Sequence, residues 1–205
     1  MNNNRLVLFF VGLIFVWVGV LCGWMLAQKY MNPVSKPVFV YNEKQKEKNI
    51  VEDRFLAKEG FRTLLPIGWS ETSGLPGISF MAVNSQEENT DPAVQKINFK
   101  TYYAVKYDKL VGKSLVEFAK YYKDLIKQSI IGISYEKEGE RKFNDKDGYT
   151  LEGLANQQGA EIKFLIVFLK GKGDDVWILS FDTALNNWGK YINQFENIIS
   201  SFEIN

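Results

Sequence analysis

Carboxylates are the main candidates for chemistry in this chain, which has no histidine and a single cysteine, Cys22. Imidazole is the usual acid–base group near neutral pH and the commonest metal ligand, so both roles lose their first choice. A Ser-His or Cys-His pair cannot be assembled, and no G-x-S-x-G nucleophile elbow is present. The acidic turn Asn144, Asp145, Asp147 offers oxygen ligands of the kind that hold calcium. An EF-hand loop, however, needs acids at set positions and closes on a glutamate. With Asp145 in its third place, the first falls on Phe143 and the last on Leu154, so the segment reads as a hairpin turn. Gly171-Lys172-Gly173 lacks the G-x-x-x-x-G-K-[ST] spacing of a phosphate loop, and no helix follows it. It too reads as a hairpin turn. Glu152 and Glu161 could lie across neighbouring strands as a carboxylate pair, the one arrangement that would favour an enzyme. Solvated surface acids are far commoner. The expectation is no catalytic, cofactor-binding or metal-ligating residue.

The elements that would position these groups follow from periodicity. Phe61–Leu65 alternates as a strand, and Pro66-Ile67-Gly68-Trp69 is a turn that delivers a tryptophan. Ile78–Val83 reads as a second strand and Ser85–Ala93 as a polar loop. From Ile97 to Tyr107 apolar and polar residues alternate, which predicts one strand with Ile97, Phe99, Thr101, Tyr103, Val105 and Tyr107 on a shared face. Ser114 and Glu117 have capping-box spacing, opening a helix whose stripe includes Leu115, Phe118, Tyr122 and Ile126. Ile133–Phe143, Tyr149–Ala155, Glu161–Lys170 and Val176–Phe181 follow as strands separated by short turns, with Asn144–Gly148 as the first turn. Short turns imply an antiparallel meander. Ile162–Leu169 is apolar on both faces, which predicts a strand covered on both sides. The last helix places Trp188, Tyr191, Ile192, Phe195, Ile198, Ile199 and Phe202 on one stripe that needs a sheet to cover. The expected fold class is α+β, an α/β/α sandwich around a central antiparallel sheet.

Ahead of this domain, Leu6–Ala27 forms an unbroken apolar stretch. At ~1.5 Å rise per residue it spans a ~30 Å hydrocarbon core as one transmembrane helix, with Trp24 and Tyr30 near one end. A cleaved signal peptide would have a shorter apolar run and a small-x-small site, which Met25-Leu26-Ala27 matches poorly. Cys22 invites a lipoprotein reading, but bulky Leu21 precedes it and the apolar run continues beyond it. The expected organisation is a tail over 1–5, the membrane helix over 6–27, a polar linker over 28–54 and the folded domain over 55–205. Within the linker, Val38–Tyr41 could form a short extended piece. Arg5 stands before the helix and Lys29, Lys36, Lys44, Lys46 and Lys48 after it, so a simple positive-inside count would put the domain in the cytoplasm, but long translocated domains override that count. The chain carries 25 Lys+Arg against 24 Asp+Glu, so no basic field exists to attract nucleic acid.

The order of landmarks from Phe61 to Phe202 resembles the PsbP-like fold family, whose other branch includes the nuclear-transport cofactor Mog. Four motifs carry the likeness: the Pro66-Ile67-Gly68-Trp69 corner, the strand Gly148-Tyr149-Thr150-Leu151-Glu152-Gly153, the aromatic strand Val176-Trp177-Ile178-Leu179-Ser180-Phe181, and the closing Ile198-Ile199-Ser200-Ser201-Phe202. Each is also ordinary core and turn chemistry, so the resemblance rests on order and spacing. It implies an α/β/α sandwich that works as an extracytoplasmic, membrane-associated accessory protein. Photosynthetic members sit on the lumenal face of photosystem II and help retain calcium and chloride. This chain departs from them in its apolar anchor and its lack of histidine. The resemblance implies a non-catalytic binding domain on the outer face of the cytoplasmic membrane. The apolar stretch Leu6–Ala27 would hold it in the bilayer, a membrane or envelope protein is the expected partner, and the balanced charge speaks against nucleic acid. The alternative is a small carboxylate-dependent envelope enzyme.

Overall fold

In the computed structural model, residues 53–72 and 76–205 are described. The expected membrane helix and nearly all of the linker, with Val38–Tyr41, lie outside them. Among the described residues no helix is long and apolar enough to cross a membrane.

Ten strands are present: β1 (Arg54–Lys58), β2 (Phe61–Leu65), β3 (Trp69–Glu71), β4 (Phe80–Asn84), β5 (Tyr102–Lys109), β6 (Ser134–Phe143), β7 (Lys146–Gln157), β8 (Ala160–Lys170), β9 (Asp175–Ala184) and β10 (Glu203–Ile204). Helices α1 (Pro92–Lys96), α2 (Leu115–Ser129) and α3 (Trp188–Ser201) complete the domain. Seven strands form one antiparallel sheet in the order β3-β4-β5-β9-β8-β7-β6. The expected meander is its β6–β9 part. Two-residue turns close β6–β7 at Asn144 and Asp145 and β7–β8 at Gln158 and Gly159, with Asn144 at φ 55° and Gln158 at φ 52°. Gly148, expected in the first of these turns, instead lies inside β7. A Cβ there would meet the Phe143 ring at 2.6 Å, so any larger residue would force that ring to shift.

Strand β8 organises the core because both of its faces are apolar. Phe164, Ile166 and Phe168 face α2, packing with Phe118, Tyr122 and Ile126. Leu165, Val167 and Leu169 face α3, packing with Tyr191, Phe195 and Ile198. The capping box that starts α2 is formed: the Ser114 N–H donates to Glu117 Oε2 at 2.8 Å and the Glu117 N–H to Ser114 Oγ at 3.2 Å. One helix on each face gives three layers, in line with the sandwich read from periodicity.

The sequence reading had no counterpart for the second sheet, ordered β1-β2-β10. After α3 the chain turns at Phe202 and pairs Glu203 and Ile204 with Arg62 and Phe61. Phe61 stacks on Phe202 at 5.4 Å and tilts against Trp177 at 5.0 Å, so this small sheet shares the α3 core. The Tyr103 hydroxyl donates to the Leu64 carbonyl at 2.5 Å and ties the two sheets together. The Pro66–Trp69 corner is present as read: the Trp69 N–H donates back to the Pro66 carbonyl at 3.1 Å, and Gly68 takes φ 80°.

The strand expected from Ile97 begins only at Tyr102. The residues before it form α1, which Asp91 caps by accepting from the Ala93 and Val94 N–H groups. Val94 and Ile97, three apart, bury together against Ala160, Ile162 and Ala184. Apolar alternation at 97, 99 and 101 thus came from a helix end followed by a loop, with Asn98 at φ 50°. A five-residue helix is too short to show a period of its own.

Candidate functional site

The sequence-level candidates do not converge. Asp145 is largely exposed beside Lys146 at 3.6 Å, and Asp147 pairs with Lys142 at 3.7 Å. Asn144 instead donates its side-chain amide to the Ser200 carbonyl at 2.7 Å, fastening the hairpin to α3. Among the described residues no group of histidine, cysteine, aspartate and glutamate is arranged to hold a metal ion. Gly171–Gly173 closes the β8–β9 hairpin, with the Gly171 N–H on the Asp175 carbonyl at 2.9 Å.

Glu152 and Glu161 are not a pair. Glu161 lies opposite Asn156 and is exposed, whereas Glu152 lies opposite Leu165 and turns to Lys163. The Lys163 ammonium contacts Glu136 and, at 3.0 Å, Glu152, and it lies 5.2 Å from the centre of the Trp188 ring. Burial disfavours its charge, but the hydrogen bonds to Glu136 and Glu152 outweigh that and hold its pKa above the usual lysine value. A lysine held charged in this way is a structural ion pair and a poor nucleophile.

Two polar groups that sequence reasoning passed over are buried at the end of the sheet where β5 starts and β9 finishes. Glu87, in the segment read as a polar loop, is 5% exposed. Its carboxylate accepts from the Thr101 N–H at 2.5 Å, the Thr101 hydroxyl at 2.8 Å and the Asn187 amide at 3.1 Å. Thr101 and Thr183 share a further hydrogen bond at 2.7 Å. Glu87 therefore fastens the long β4–β5 connection to the start of α3.

The other is Asp182, 2% exposed, on the opposite face of the sheet. In β9, Ile178, Ser180 and Asp182 point to α2, as period-2 alternation requires. Tyr102 in β5 lies directly opposite Asp182. The Ser180 hydroxyl donates to Asp182 Oδ2 at 3.0 Å, and the Tyr102 hydroxyl donates to the same carboxylate. Above these groups is a small pocket of ≈ 20 Å³. Its walls are apolar, with Ile126 of α2 and Ile130 just after its end on one side and Ile162, Phe164 and Ile166 of β8 on the other. Phe99, Ile133 and Gln157, all half-buried, stand at its rim. Asp182 is the only charged residue in the lining.

Burial pushes the Asp182 carboxyl up to about 7, against the lowering effect of the Ser180 and Tyr102 hydrogen bonds. Burial, followed by the nearby Asp182 charge, drives the Tyr102 phenol far above its ordinary value. A raised carboxyl pKa favours the folded state where the group is protonated. That contribution is complete below the unfolded pKa near ~4 and is lost as pH rises through about 7. Asp182→Asn keeps an acceptor for the Ser180 hydroxyl and cannot ionise. Urea unfolding at pH 5 and pH 9 should show the wild type losing stability at the higher pH. The variant should be the more stable of the two at pH 9, by an amount on the order of 3 kcal/mol. Parallel pH profiles for the two proteins would mean that the carboxyl is not buried as described.

The domain is similar to cyanobacterial PsbP (CyanoP) from Synechocystis sp. PCC 6803, with a TM-score of 0.56 at 17% identity, over 85% of this chain and 100% of that one. The fold is PsbP-like. The PsbP-like domain is also similar to LpqN, described as involved in cell envelope biogenesis of Mycobacterium tuberculosis. That match has a TM-score of 0.55 at 11% identity and covers 75% of this chain and 90% of that one. No protein-family model matches the chain, and no curated protein matches it in sequence. At these identities the likeness concerns the fold, which hosts different functions on a shared frame.

Proposed function

We propose that this chain is a membrane-tethered accessory module whose PsbP-like domain stands outside the cytoplasmic membrane and acts by binding a membrane or envelope protein. The observation that carries this reading is a conjunction. An uncharged apolar stretch long enough to span a bilayer, Leu6–Ala27, precedes a domain whose fold is shared with CyanoP and with an envelope-biogenesis protein. A tether confines a weakly binding domain to the membrane surface and raises its effective concentration beside a partner in the same membrane. A non-catalytic role is supported by the scattering of the candidate groups. Glu152 is taken up by Lys163, Asp145 and Asp147 lie beside lysines, and the pocket over Asp182 has room for a group no larger than about one water molecule.

Protease shaving tests the reading. Lys44, Lys46 and Lys48 lie just ahead of the domain in sequence. Trypsin added to intact spheroplasts should release the domain into the medium, while a cytoplasmic control protein stays whole. Release only after lysis would put the domain on the wrong side and end the proposal. A photocrosslinker at Ile131, which is 97% exposed, should then trap a membrane or envelope protein in the same preparation.

A further inference from the structure

Asp182 combines three features: near-complete burial, a position in a pocket wall, and hydrogen bonds from neutral hydroxyls. The groups facing it can be taken element by element. Strand β5 contributes Tyr102, with Lys106 and its ion-pair partner Asp108 farther down the same strand. Strand β9 contributes Ser180. Helix α2 contributes Tyr122, whose phenol feels the Asp182 charge, and Ile126. Strands β7 and β8 contribute Ala155, Ile162 and Phe164, none of them ionisable. Two hydroxyl donors leave lone pairs on the carboxylate unfilled.

We propose that the pocket beneath α2 is a binding site for a primary ammonium group, seated on the Asp182 carboxylate among the rings of Phe99, Tyr102 and Phe164. Charge selects the ligand, because a cation forms a pair with a carboxylate that burial keeps from water. The aromatic walls add attraction for a cation that neutral ligands lack. Size restricts it further. A pocket of ≈ 20 Å³ admits a group as large as one water molecule, which an ammonium on a methylene stem matches and a quaternary ammonium exceeds. The half-buried rim of Phe99, Ile133 and Gln157 would receive the stem. Because burial holds the free carboxyl near 7, an ammonium that binds below that pH must displace a proton into solvent. The proposal stands apart from the tethering and holds on either side of the membrane.

The test uses the full chain in maltoside micelles, which contain no amine. Methylammonium should raise the unfolding temperature saturably at pH 8, while methanol and tetramethylammonium at equal concentration do not. Asp182→Asn should weaken methylammonium binding at least tenfold. Calorimetry at pH 6 in buffers of different ionisation enthalpy should show a proton released on binding. Nα-acetyl-lysine amide and phosphoethanolamine distinguish a protein side chain from a lipid headgroup as the source, and tighter binding of either one identifies it. The proposal is overturned if methylammonium has no saturable effect, if methanol reproduces it, or if Asp182→Asn binds as well as the wild type. A water molecule would then be the only occupant.

Discussion

Replacing Phe195 with alanine is expected to remove about 3–5 kcal/mol of unfolding free energy, a large share of what a domain of this size possesses. Phe195 lies at the centre of the α3 stripe and is 0% exposed. Its ring lies 4.9 Å from Phe181 of the sheet, 6.0 Å from Trp188 and 6.1 Å from Tyr191, the last in a stacked arrangement. Truncation would therefore open a cavity walled by other rings, which cannot collapse without leaving their own contacts. Asn197, two residues on, is exposed on the far side of the same helix. Asn197→Ala should stay within about 0.5 kcal/mol of the wild type, as surface substitutions usually do. Chemical denaturation of the three proteins decides the matter. Equal midpoints for the two variants would mean that α3 does not cover the sheet, and the layered architecture would fail with it.

Glu87→Ala is expected to cost a comparable amount, about 3–5 kcal/mol, by a different route. It deletes one acceptor that several buried donors share, so the Thr101 N–H, the Thr101 hydroxyl and the Asn187 amide lose their partner together. The Tyr191 phenol also belongs to this network. Burial pushes it up to about 12, with the Glu87 carboxylate as the next cause. Glu87→Gln keeps one oxygen acceptor but turns an NH₂ toward donors, so a smaller loss of about 1–3 kcal/mol is expected. Amide exchange should locate the damage. Protection should fall first in the β4–β5 connection around α1, while the β7–β8 ladder keeps its own. A Glu87→Ala protein as stable as the wild type would show that the connection is held by Val94 and Ile97 alone.

These two sites differ in how visible they are in the chain. Phe195 belongs to a stripe that repeats with the helix period, and any sheet-covering helix needs such a stripe. Glu87 stands among Ser85, Gln86, Glu88, Asn89 and Asp91, where one more acid looks like a solvated loop residue. Its burial depends on Thr101, Thr183 and Asn187, the last a hundred residues away in the chain. Asp182 was somewhat more legible. It is the lone acid between Val176 and Ala184, a segment otherwise suited to a strand. Ending that strand at Phe181 moved Asp182 into a supposed loop and hid the alternation that links it to Ser180.

Local patterning was sufficient for α2, α3, the β6–β9 meander and the two-faced burial of β8, because each expresses a period within one short stretch of chain. The capping box at Ser114 and the corner at Gly68 were legible for the same reason, since their partners are three residues away. Pairing of β10 with β2, the Glu87 network, the meeting of Asp182 with Tyr102 and the loss of Glu152 to Lys163 were beyond that reach. Each depends on which distant strands come to lie side by side, and so on burial and neighbours that no window of the chain contains. The chemistry of a carboxylate here follows from its desolvation and its partners, and both are set by the completed packing.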